Sequence, residues 1–140
     1  YNLATYGHLY TWQAAIKDGS VNAYGHVPGI CPAGWYLPTK EQYEGLNTYG
    51  PDALRATSSL WIDGGGTNTT GFTALPGGKY AGALDRYEDM TIKDYYWSTS
   101  NATGSITPAE VELTMHCLIV KDVQTSNPNG YSIRCIKEKE

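Results

Sequence analysis

Three cysteines, at positions 31, 117 and 135, set the first constraint on how this chain can close. Cys31 opens the segment C-P-A-G-W-Y-L-P-T (residues 31–39), directly ahead of a capped helix, and Cys135 lies in the strand-like run 130–136 near the other end. A bond between them would span 135 − 31 = 104 residues and staple the two ends of a domain together. The chain-entropy account gives such a closure about 4–5 kcal/mol, and it suits an oxidising compartment and a loop-rich scaffold. Cys117 falls in the run 111–120, where Val111, Leu113, Met115, Cys117 and Ile119 share one face at period two. It reads as a small buried hydrophobe. Were 111–120 and 130–136 to form a hairpin, Cys117 would stand beside Cys135 instead. The residues by themselves leave both pairings open.

The helix and strand signals are segregated along the chain. Tyr6–Tyr10 reads as a short strand. Thr11 then caps a helix with Trp12, Ala15 and Ile16 on one face, Lys17 in its last turn and Gly19 as its stop. Thr39 followed by Gln42 is a capping-box pattern that starts a second helix over Lys40–Tyr49, ended by Gly50-Pro51. Asp52–Thr57 adds a further helical turn. Strand candidates follow at Trp61-Ile62, Phe72–Leu75, Tyr95–Ser98, 111–120 and 130–136, separated by glycine-rich turns. Helices first and strands later predict an α+β fold with an antiparallel sheet, in one domain over 1–140. Trp12, Trp35 and Trp97 are expected in the core. Arg134, on the strand face opposite Cys135, is expected to pair with a carboxylate.

The chain has 140 residues with 16 Gly and 12 Tyr against a single Phe, so most of its aromatic area carries a polar tip. That mixture suits binding surfaces, where Tyr offers large contact area at low entropy cost. Ten basic and fourteen acidic residues leave a formal charge of −4, which excludes nucleic acid as the expected partner. No apolar run approaches the length of a membrane span. The abrupt start at Tyr1-Asn2-Leu3 reads as a processed or trimmed piece of a larger protein, accompanied by other domains.

Reactive chemistry has little sequence support. Gly64-Gly65-Gly66 and Gly77-Gly78-Lys79-Tyr80 lack phosphate-loop spacing and read as turns. His8, His26 and His116 are scattered without zinc-ligand company. Asp85, Glu88, Asp89 and Asp94 cluster in one stretch, but nothing resembles an EF-hand, and solvation of a charged loop is the better account. No nucleophile elbow is present. The expectation is no catalytic residue, no metal and no cofactor.

Five blocks carry a resemblance: Y-G-H-L-Y-T-W (6–12), C-P-A-G-W-Y-L-P-T-K-E-Q-Y (31–43), T-T-G-F-T-A-L-P-G-G (69–78), Y-W-S-T-S (96–100) and G-Y-S-I-R-C-I-K (130–137). Together they resemble the Fibrobacter succinogenes major paralogous domain family, with Tyr36 and Tyr43 where that family often has His and Trp. The resemblance implies a C-type lectin-like fold, two short helices on a twisted antiparallel sheet with long loops. It also implies that Cys31 pairs with Cys135. L-P-T-K-E-Q-Y-E (37–44) and G-Y-S-I-R-C (130–135) are similar to the formylglycine-generating, sulfatase-modifying family as well. That family oxidises with paired active-site cysteines, whereas this chain has only Cys117 beyond the implied staple. Asn127-Pro128-Asn129 echoes the calcium loop of sugar-binding lectins, but Trp97-Ser98-Thr99 lacks their strand motif.

What the resemblance implies is therefore a non-enzymatic binding or adhesion module of an exported bacterial protein, extracellular or anchored at the cell surface, such as a pilus-tip component. Its ligand would be a glycan or a protein, met by loop side chains. Expected contacts are Trp61, Asp63 and Asn68 from the glycine loop and Tyr80, Arg86 and Tyr87 from the irregular stretch. Asn101, Asn127 and Asn129 join them from later loops. The alternatives are an oxidase of the sulfatase-modifying type and a structural stalk or pilus-assembly domain.

Overall fold

Strand β4 (Lys93–Ser100) organises the chain because it is buried on both faces from Asp94 to Ser100. The computed structural model describes residues 1–101 and 104–139. In it β4 pairs antiparallel with β5 (Thr107–Thr114), which pairs antiparallel with β6 (Leu118–Asp122). Alternation along β4 sends Tyr96 to one side and Tyr95 and Trp97 to the other. On the first side Tyr96 joins Tyr43, Leu54, Trp61, Ala74, Val111, Leu113 and Leu118. On the second, Tyr95 and Trp97 pack with Trp12, Ala15 and Tyr131.

Short helices cover these faces: α1 (Leu3–Tyr6), α2 (Trp12–Ile16), α3 (Lys40–Gly45) and α4 (Pro51–Leu54) among the described residues. Two of them start where the sequence predicts. Thr11 Oγ1 accepts from the Ala14 amide, and Thr39 with Gln42 forms a complete capping box. The second ends earlier as an α-helix, at Gly45, and continues as a 3-10 turn over Leu46–Thr48. β1 (Trp35–Tyr36) pairs with β7 (Ile136–Lys137), and Cys31 is bonded to Cys135 beside them with 6.0 Å between their Cα atoms. The bond packs with Val27 and Leu37 in a third apolar cluster. The result is an α+β architecture of short helices and antiparallel sheets. No helix among the described residues is long and apolar enough to cross a membrane.

Several expectations fail for local reasons. The run 111–120 is not one strand but the β5–β6 hairpin. Thr114 Oγ1 accepts from the amides of His116 and Cys117, a hydroxyl turn hidden inside continuous alternation. β6 therefore takes the place beside β5, and the rival Cys117–Cys135 pairing is gone. Cys117 is free and half-buried in that turn instead of sealed in the core. Tyr6–Tyr10 is not a strand. Asn2 caps α1 by accepting from the Thr5 amide at 3.1 Å, and only Tyr10 bridges Tyr131. Trp61-Ile62 and Phe72–Leu75 are loop, held by single bridges and side chains. Trp35 is 38 % exposed, because the two-residue strand β1 turns Tyr36 inward and Trp35 outward.

Two arginines replace regular structure in pinning those loops. Buried Arg55 binds Asp52 and Asp63, each at 2.8 Å, and lies 4.8 Å over the Trp61 ring. Among the described residues Arg134 finds no carboxylate partner. It donates to the carbonyls of Phe72 (2.8 Å) and Thr73 (3.2 Å), and its guanidinium stacks 4.5 Å from the Phe72 ring.

Candidate functional site

A hairpin of β2 (Lys79–Ala81) and β3 (Arg86–Glu88) brings Tyr80 opposite Tyr87. Two strands of three residues are too short to stand alone, and the chain supports them from two directions. Tyr80 and Gly130 exchange backbone hydrogen bonds of 3.0 and 2.9 Å, adding the 130–131 segment as a further strand-like neighbour. Asn129 Oδ1 accepts from the Gly82 amide at 3.0 Å, and its amide nitrogen donates to the Tyr131 hydroxyl. Asn127 Oδ1 in turn accepts from the Asn129 amide. This contact is so close that a Cβ at residue 82 would stand 2.1 Å from the Pro128 carbonyl oxygen. Gly82→Ala is thus expected to cost about 1–3 kcal/mol by forcing the two loops apart; urea unfolding checks it, and an unchanged midpoint would contradict this account of the support.

The supported hairpin presents an aromatic recess. Tyr1 stacks on Tyr87 with ring centroids 4.7 Å apart, and Tyr80 meets Tyr87 edge-on at 5.3 Å. Together with Leu3, His8 and Thr11 they line a depression of about 360 Å³. Tyr87 keeps 46 % of its surface open to solvent. The polar tips are held in defined places. The Tyr80 hydroxyl donates to Asp85, which raises its pKa. Tyr1 donates to the Gly77 carbonyl at 3.1 Å, and burial with the nearby Asp94 charge pushes its hydroxyl up to about 12. It is neutral at any physiological pH. Arg86 precedes Tyr87 in β3, which puts it on the opposite face of the hairpin, and it is bonded to Glu88 through two nitrogens at 3.0 and 2.8 Å.

The structure thus brings Tyr80 and Tyr87 together at the recess, with Asn127 and Asn129 behind them, while Arg86 on the opposite face of β3 and the other expected contacts lie elsewhere. Trp61 is 2 % exposed, its indole N–H donating to the Ala74 carbonyl at 2.9 Å, so it is core and offers a ligand no surface. Asp63 accepts from Arg55 and from the Gly65 amide, which holds its carboxyl below the usual range. Asn68 staples its own loop, accepting from the Thr73 amide and donating to the Thr73 hydroxyl. Asn101 is exposed at a separate recess beside His26, Thr39 and Glu41. Asn127 and Asn129 support the recess from behind; their side chains are engaged with the chain itself. Tyr1 and His8 were not expected. Their only signal was the density of tyrosine near the start of the chain, which does not say that α1 folds back on the hairpin.

The acidic stretch is engaged in the same way. Asp85 takes the Tyr80 hydroxyl, Glu88 takes Arg86, Asp89 takes the Tyr95 hydroxyl at 2.6 Å, and Asp94 takes the Tyr96 hydroxyl. Among the described residues no three His, Cys, Asp or Glu side chains converge on a point that could hold a metal ion. What the arrangement can do is present stacked phenol faces with fixed polar edges. Compared with known proteins, the sequence matches the model of the Fibrobacter succinogenes major domain over residues 1–137. No curated protein and no solved structure matches it.

Proposed function

Because the chain belongs to the Fibrobacter succinogenes major domain family, we propose that it is a C-type lectin-like display frame, a non-enzymatic binding and adhesion module of an exported bacterial surface protein. Its ligand is a glycan, and its contact surface is the recess of Tyr1, Tyr80 and Tyr87. The observation that carries this reading is the convergence of three tyrosine rings from segments 86 residues apart onto one open, braced surface. Sugar rings stack their C–H faces on phenols, and the fixed hydroxyls supply directional hydrogen bonds. A paired-cysteine oxidase gains no support from the surroundings of the one free thiol: Cys117 sulfur lies 3.8 Å from the Thr114 hydroxyl in an outer hairpin turn.

A glycan array with purified protein tests the reading. A signal is expected that falls about ten-fold or more in Tyr87→Ala, consistent with the loss of one stacked ring. Because Tyr87 is surface-exposed, the variant's stability should stay within about 0.5 kcal/mol of the parent. A glycan signal indifferent to Tyr87→Ala and Tyr80→Ala would move the site elsewhere. A protein ligand is the second reading, and a separate patch favours it. The Ile62 amide donates to the Thr91 carbonyl at 2.9 Å, which sets Ile62, 71 % exposed, beside exposed Met90 and Ile92.

A further inference from the structure

A depression of about 690 Å³ shares no lining residue with the tyrosine recess. Its lining includes Tyr43 from α3, Leu46 and Tyr49 just after it, Phe72, and Arg134 and Ile136 from the last stretch of the chain. Its volume is that of a small-molecule site, and its lining is mostly apolar.

Two polar groups in this lining are unusual. The Tyr43 hydroxyl is buried and has no hydrogen-bond partner. A buried orphan hydroxyl is costly, about 1–3 kcal/mol, and native structures leave few of them. Arg134 makes no ion pair with any described residue. Its contacts are two neutral carbonyls and the faces of Phe72 and Tyr96, so no described carboxylate is bonded to its guanidinium at the groove. Its nearest buried acid, Asp94, is engaged by the Tyr96 hydroxyl and the Tyr95 amide.

The groove is also preformed. Asn68 closes the 68–73 loop through both of its side-chain polar atoms, and the Thr70 hydroxyl donates to the Ala53 carbonyl at 2.6 Å. That loop holds Phe72 flat under the guanidinium. Little ordering is left for a ligand to impose, which favours binding.

We infer that this groove is a second ligand site, for a small carboxylate with an aromatic or branched apolar body. The body lies between Leu46, Tyr49 and Ile136. The carboxylate accepts from the free N–H groups of Arg134 and from the Tyr43 hydroxyl. This assignment matches the guanidinium that no described carboxylate bonds with an anion and the one orphan donor with an acceptor, and apolar walls with an apolar body. It needs no contribution from the tyrosine recess.

The test uses 3-phenylpropionate and its uncharged amide as probes, each titrated into the isotope-labelled protein and followed by NMR. The acid is expected to bind in the millimolar range with shifts centred on Leu46, Tyr49, Phe72 and Arg134. The amide should bind about ten-fold or more weakly, as one charge-assisted contact is lost. Arg134→Gln should remove the difference between acid and amide. Because that variant also loosens the Phe72 loop, Tyr49→Ala serves as a second probe at an exposed position, and it should weaken both ligands together. Equal binding of acid and amide, shifts centred elsewhere, or no binding of either at millimolar concentration overturns the inference. Tyr87→Ala should leave every one of these readings unchanged, which separates this site from the glycan proposal.

Discussion

Replacing Cys31 and Cys135 together with serine is expected to lower the unfolding free energy by about 4–5 kcal/mol. The size follows from the 104 residues of separation that the bond spans, since the entropy removed from the unfolded chain grows with the length closed. The local setting adds to it. Cys31 packs with Val27 and Leu37, and the neighbouring β1–β7 pair consists of two residues on each side, too few to hold the first and last thirds together unaided. A midpoint fall of about 15 °C is expected for a chain of this length. Cys117→Ser, in a half-exposed hairpin turn, should shift stability by about 0.5 kcal/mol or less. Denaturant titrations with and without reductant compare the three proteins. A double variant within about 1 kcal/mol of the parent, close to the scatter of surface changes, would show that packing alone closes the ends.

The second large effect is a pH dependence carried by Asp94. This carboxyl is buried beside β5, accepts from the Tyr96 hydroxyl and the Tyr95 amide, and is raised by burial to about 7, with those hydrogen bonds and the Arg134 charge opposing the rise. In the unfolded chain it titrates near 3.8. Between these values the native state holds a proton that the unfolded state has released. Stability is therefore greatest below the unfolded value and falls as pH climbs toward the folded one, by up to about 4 kcal/mol from this group. Asp94→Asn cannot ionise; its Oδ1 still accepts from the Tyr95 amide, and its Nδ2 donates to the Tyr96 hydroxyl as the protonated carboxyl would. Its urea-unfolding free energy should exceed the parent's at pH 8, and the gap should close as pH is lowered toward 4. Parallel pH profiles for the two proteins would show that the carboxyl ionises freely in the fold.

The parts of this architecture that sequence made visible are those fixed by neighbours in the chain. Thr11 and the Thr39–Gln42 pair announce their helices because a cap needs only residues within one turn. Tyr95–Ser98 announces β4 by its β-prone aromatic composition. The closure of Cys31 on Cys135 was legible only through family resemblance, since the composition allowed Cys117 as well. What stayed hidden depends on distant partners. Trp61 looks like a loop aromatic free to meet a ligand, and only the Ala74 carbonyl and the Arg55 guanidinium, brought in by folding, make it core. The β5–β6 turn was masked because Thr114, Met115 and His116 continue an alternation that a strand would also show. The tyrosine recess depends on α1 lying against a hairpin some eighty residues on, and no local pattern records that approach.

The cystine also decides how the molecule answers a mechanical load. Tension applied to the polypeptide on either side of the bonded residues travels from Cys31 directly to Cys135. Only the stretches outside that covalent span can be drawn out. The groove beside Arg134 draws nearly all of its side chains from inside it, whereas the tyrosine recess takes Tyr1, Leu3, His8 and Thr11 from outside. In a protein that grips while being pulled, the hairpin carrying Tyr80 and Tyr87 would stay wound while a pull on the first residues draws Tyr1 off Tyr87.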